Sequence, residues 1–105
     1  MDDIIKRLKQ FRDERNWKQF HTPEHLATSV VLEAAELLEN YQWEKDPDTI
    51  DNIKDELADV MSYCLLLADH YDLDVREIML QKIKKNEKKY PVDKAYGKSD
   101  KYTDL

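Results

Sequence analysis

The chain has 105 residues, 38% of them charged and 41% hydrophobic, with a single glycine and a formal charge of −6. One domain of amphipathic helices fits that balance, whereas sheet folds need glycine where φ turns positive, which argues against an all-β or doubly wound α/β chain. The acidity argues against non-specific binding to nucleic acid or an anionic membrane, and the longest strictly apolar run, Cys64 to Ala68, is far too short to span a bilayer.

The first predicted helix covers residues 2–16, with Ile4, Ile5, Leu8 and Phe11 at helical spacing. Trp17 to His21 is a short connection. Thr22-Pro23 then starts a second helix over residues 22–40, the threonine as cap and the proline at the first helical position. Tyr41 to Pro47 reads as a loop broken by Asp46-Pro47. A third helix covers residues 48–71. Asp74 with Glu77 resembles a capping box and opens a fourth helix over residues 74–90, which Pro91 stops. Residues 91–105 are polar and read as a tail that needs a site or a neighbouring subunit to order it. The whole, residues 1–105, is expected to be one all-α, four-helix bundle-like domain. An acidic start and a lone cysteine give no sign of export, so a cytoplasmic location is expected.

Charge is unevenly spread. Residues 1–77 hold 9 Lys/Arg against 19 Asp/Glu, while residues 78–105 hold 8 against 4. Helix three is too apolar for a lone small bundle, because Leu65, Leu66 and Leu67 are consecutive and flanked by Val60, Met61, Tyr63 and Cys64. A helix apolar all round must be buried all round, so a homo-oligomer, dimer or tetramer, built on this helix is expected. Cys64 itself reads as a small core hydrophobe.

The informative acids are Glu33 and Glu36 on helix two, and Glu56 and Asp59 on helix three. Each pair is three residues apart, hence on one helical face, and each is set among apolar neighbours. Ionised carboxylates in such surroundings cost several kcal/mol each unless compensated. Lys54 is the only Lys or Arg between Lys45 and Arg76. A hard divalent cation, Mg²⁺ or Mn²⁺ among them, is the natural compensation for an all-oxygen set. The alternative is a solvated acidic stripe, which a single such pair would usually be. A di-iron bundle needs Glu-x-x-His pairs, and none of His21, His25 or His70 has a glutamate three residues before it. A phosphate-binding glycine loop is impossible with Gly97 alone.

Taken together, Glu33-x-x-Glu36 and Glu56-x-x-Asp59 resemble the metal motif of the all-α nucleoside triphosphate pyrophosphohydrolases, the MazG-like and dUTPase-like group. The stretch Phe11 to His21 with Trp17, then Gln42-Trp43, Tyr63, Asn86, Lys89-Tyr90-Pro91 and the ending Lys101 to Leu105 resemble the dCTP pyrophosphatase branch. That resemblance implies hydrolysis of a nucleoside triphosphate to monophosphate and pyrophosphate, with Mg²⁺ held by Glu33, Glu36, Glu56 and Asp59. It also implies a nucleotide pocket formed by Trp17, His21, Trp43 and Tyr63, with Lys82 and Asn86 on the matching part of helix four. Phe20 stays open between pocket and packing. Two departures bear on base preference: Leu8 stands where vertebrate members carry a histidine, and the loop after Trp43 is shorter. The readings in competition are a pyrophosphohydrolase restricted to dUTP or modified nucleotides, and a non-catalytic helical interaction module.

Overall fold

The structure is a computed structural model that describes residues 1–42 and 50–105. These residues form α1 (Asp2–Glu14), α2 (Pro23–Glu39), α3 (Ile50–His70), α4 (Val75–Lys89) and the short α5 (Val92–Ala95), with single 3-10 turns at Lys18–Phe20 and Tyr102–Asp104. Among the described residues there is no strand, as the glycine count requires. The expected start of the third helix near Asp48 and most of the expected Tyr41–Pro47 loop fall on residues outside those described. The chain divides into two compact units, Met1–Leu73 and Asp74–Leu105.

In the first unit α2 and α3 form an antiparallel pair. Leu26 near the start of α2 and Leu66 near the end of α3 line one cavity, while Asn40 after α2 meets Glu56 early in α3. Leu26, Leu65, Leu66 and Ala68 are the buried core. A fully buried leucine contributes about 1.5–3 kcal/mol, so these residues fix how the two helices sit against each other. Helix α1 lies on α3, with Lys9 Nζ 3.5 Å from Asp69 Oδ2. Thr22 caps α2 as expected: its hydroxyl accepts from the His25 N–H at 3.2 Å, with Pro23 in the first turn.

Helices α1 and α3 end in the same way, and neither uses glycine. Asn16 has φ +56° and Asp72 has φ +53°, both in the left-handed region. After α1 the Trp17 N–H bonds back to the Arg12 carbonyl at 3.0 Å and the Asn16 N–H to Asp13 at 3.1 Å. After α3 the Leu73 and Asp72 N–H groups repeat this on Ala68 and Asp69 at 2.9 and 3.0 Å. Asn and Asp tolerate this backbone better than other residues with a Cβ, so a chain with one glycine can still stop two helices sharply.

Three expectations need correction. Leu65 and Leu66 lie in the chain's own core, so helix three is less unpartnered than its composition suggested; Cys64, however, is exposed. The exposed large apolar side chains of the helix pair include Ile50, Leu57 and Met61 on α3 and Val31, Leu32 and Leu38 on α2. The capping box at α4 is half formed. Asp74 Oδ1 accepts from the Glu77 N–H at 3.1 Å, but the Glu77 carboxylate turns to Gln81 instead of back to Asp74. Finally, the ending is not a plain tail. In the second unit Tyr102 packs edge-on against Tyr90 at 6.1 Å, and the Lys89 ammonium lies 4.8 Å from the Tyr102 ring.

The turn at Asn16 makes a prediction. Asn16→Val puts a β-branched residue at positive φ and should cost about 1–2 kcal/mol of stability. Asn16→Gly should match or exceed the parent in urea unfolding. Equal stability of Asn16→Val and the parent would show that the turn does not carry the helix end.

Candidate functional site

The four carboxylates come from the facing helices of the antiparallel pair. Glu33 and Glu56 are half-buried, while Glu36 and Asp59 are exposed. Glu33 Oε2 is buried and has no hydrogen-bond partner. Burial pushes the Glu33 carboxyl above its ordinary pKa, and the nearby Glu36, Asp59 and Glu56 carboxylates push it further the same way. None of the four forms an ion pair with Lys, Arg or His among the described residues. The charges of Glu36, Asp59 and Glu56 therefore all act on Glu33, across the helix pair as well as along α2. They do not stand as a finished cage: among the described residues no three His, Cys, Asp or Glu side chains are drawn together closely enough to hold a metal ion as they stand. The donor set is nonetheless all oxygen and all negative, and a partnerless buried carboxylate oxygen fits a hard divalent cation.

Beside this cluster lies a cavity of about 430 Å³, between α1, the Trp17 connection and α3. That volume lies in the range of small-molecule sites. Ile4, Leu8, Phe11, Trp17 and Leu66 supply its apolar wall, and Arg7, Arg12, His21, Asp59, Ser62 and Tyr63 its polar edges. Asp59 belongs to both the cavity and the carboxylate set. Trp17 is 44% exposed and meets Phe11 edge-on at 5.7 Å. The left-handed turn at Asn16 is what brings Trp17 back over the end of α1. His21 and Tyr63 lie edge-to-face at 6.5 Å. Burial first, then the Arg12 charge, pushes the His21 imidazole below its ordinary pKa, and its Nδ1 is buried without a partner. Tyr63 is pushed up by burial and by Glu33, Asp59 and Glu36.

Of the residues expected at a site, Trp17, His21, Tyr63 and the four acids are therefore brought together in the first unit. Phe20 is 58% exposed and does not line this cavity, so it stays outside the pocket. Trp43 lies outside the described residues. Lys82 and Asn86 are on α4, in the second unit. Leu8, which replaces a histidine of the vertebrate pattern, lines the cavity. Sequence reasoning missed Arg12. Its residue is 8% exposed, its Nε donates to Asp13 Oδ1 at 2.8 Å, and with His21 and Leu66 it is common to this cavity and a second one of about 470 Å³.

Residues 28–105 match the model of the MazG-like family. Mouse dCTP pyrophosphatase 1 is 34% identical over 114 aligned positions that span 100% of this chain and 67% of that protein. The human dCTP pyrophosphatase 1 aligns with the same identity and coverage. Among solved structures, a pyrophosphatase from Archaeoglobus fulgidus superposes with a TM-score of 0.80 at 38% identity, covering 87% of this chain and 92% of that one. The chain belongs to the MazG-like family. Within it, the relatives just described all carry pyrophosphatase names, and the mouse and human ones are named for dCTP.

Glu33 also makes a prediction about acid stability. Its folded pKa lies above the unfolded one, so the folded state holds its proton longer; the resulting destabilisation is absent at low pH, grows as pH rises through the ordinary carboxyl range and is complete above the raised pKa. In EDTA, Glu33→Gln should therefore melt higher than the parent at pH 7, and the gap should close as pH falls toward the ordinary carboxyl range. A Glu33→Gln protein that melts lower than the parent at pH 7 would contradict this.

Proposed function

We propose that the protein hydrolyses a deoxynucleoside triphosphate, with dCTP the first candidate, to the monophosphate and pyrophosphate, using Mg²⁺ held by Glu33, Glu36, Glu56 and Asp59. The protein is a nucleotide pyrophosphohydrolase. The observation that carries the reading is Asp59: one side chain joins a cluster of carboxylates that have no basic partner among the described residues to an aromatic-walled cavity of nucleoside size. A triphosphate is a polyanion, and four carboxylates would repel it unless cations stood between them. A bound divalent cation supplies positive charge where the phosphoanhydride breaks.

The chain's own residues do the rest. Trp17 and Phe11 offer ring surface on which a base can rest, which contributes roughly 1–3 kcal/mol per base. His21, held neutral, and Tyr63, held protonated, present hydrogen-bonding atoms near neutrality with no added charge. Trp43, Lys82 and Asn86 belong to the site by resemblance to the dCTP pyrophosphatase branch. A deoxynucleotide substrate implies a cytoplasmic location and a role in clearing the nucleotide pool. No helix among the described residues is long and apolar enough to cross a membrane.

Two mutations should separate charge from base binding. Glu36→Ala should lose kcat, because charge shifts most in the transition state. Trp17→Ala should raise KM roughly 5- to 150-fold with little change in kcat, the equivalent of that stacking energy. The assay is pyrophosphate release from each dNTP and NTP, with Mg²⁺ and with EDTA. No release from any nucleotide, with parental melting of Glu36→Ala in Mg²⁺, would leave a helical interaction module as the better reading.

The oligomer belongs to the same proposal. Val31, Leu32 and Met61 are 67%, 60% and 52% exposed, more apolar surface than a lone chain of this size leaves to water without reason. A homo-oligomer covers it. Light scattering should give a multiple of 12.6 kDa, and Leu32→Asp or Met61→Asp should lower that mass while leaving the helices folded. By contrast, Leu66→Asp should unfold the chain. A parent that scatters as a monomer at micromolar concentration would overturn the oligomer.

A further inference from the structure

The four carboxylates are not the whole of the helix-pair site, because one amide reaches into it. Asn40 follows the last turn of α2, and its Nδ2 is 3.1 Å from the Leu37 carbonyl, 3.4 Å from the Glu36 carbonyl and 2.6 Å from Glu56 Oε2. Both Asn40 and Glu56 are half-buried. Among the described residues this is the only side chain-to-side chain hydrogen bond that links α3 to the α2 end of the chain.

The residue type matters as much as the distance. Glu56 lies among like charges and gains from any donor. A lysine or arginine there would give a stronger bond, but its charge would oppose a cation at the same carboxylate. An amide donates without charge. It is also anchored on the backbone of the turn that carries Glu36, so the direction of Glu56 is set relative to the ligand pair on the other helix. Holding one oxygen leaves the second to face a cation. Partners of this kind orient metal ligands, and their loss typically weakens metal affinity about 10- to 100-fold.

We propose that Asn40 is a positioning residue for the divalent-cation site: it holds Glu56 on α3 in register with Glu33 and Glu36 on α2. The proposal rests on the cation reading above, and it adds a residue outside the Glu-x-x-Glu and Glu-x-x-Asp pairs. Asn40 also serves as the end of α2, so a stability loss alone says nothing about the cation. Affinity for the ion does.

The experiment titrates Mg²⁺ into the metal-free full chain without nucleotide, by calorimetry, for the parent and for Asn40→Leu, Asn40→Ala and Asn40→Gln. Asn40→Leu and Asn40→Ala should bind Mg²⁺ about 10- to 100-fold more weakly, while Asn40→Gln, which keeps the donor, recovers part of the loss. Their kcat should approach the parent's once Mg²⁺ is raised to saturation, with the nucleotide KM little changed. Circular dichroism checks that each is folded, and Asn40→Ala, the smaller change, decides if Asn40→Leu is not. Variants that melt lower but bind Mg²⁺ like the parent would reduce Asn40 to a helix end and overturn the proposal. A parent that binds no Mg²⁺ at all would overturn the cation reading itself, and this inference with it.

Discussion

Four carboxylates on one antiparallel helix pair, none of them ion-paired among the described residues, are the constraint on which the remaining structure depends. Their repulsion pushes α2 and α3 apart, and burial of the Glu33 oxygen without a partner adds to the cost. The pair is held against this by Leu26, Leu65, Leu66 and Ala68 toward one end and by the Asn40–Glu56 bond toward the other. Clustered like charges of this kind oppose folding unless something compensates them.

Two residues of the cavity, His21 and Tyr63, have pKa values shifted in the direction that favours their uncharged forms. Burial first, and the Arg12 charge after it, lower the pKa of the His21 imidazole, while burial and then the nearby acids raise that of the Tyr63 hydroxyl. The two rings meet edge to face.

What could be read in the sequence follows from which signals are local. The caps at Thr22 and Asp74 and the acid pairs depend on spacing within a helix, and the structure places them as that spacing implies. Arg12 sits in a charged, helical stretch and reads as solvent-facing; its burial depends on the connection that folds back over it, which no periodicity reveals. Asn40 reads as a helix end, and only the partner helix gives it a second role. Cys64 and the leucine run illustrate the opposite error. Apolar composition told how much surface needs cover, but not which residues their own chain covers. The polar ending lacked any apolar run, so the ring contact of Tyr90 with Tyr102 had no sequence signal beyond the aromatics themselves.

The left-handed turn at Asn16 has a consequence for the energetics of recognition. Glycine at that position would leave the backbone free to visit many conformations, whereas a residue with a Cβ has far fewer to choose from. Trp17 follows directly and is tied to the Arg12 carbonyl. The backbone that carries Trp17 is therefore held in place when the chain folds, and a ligand at this cavity would not have to order it. Pre-organisation of this kind leaves more of the contact energy to show as affinity.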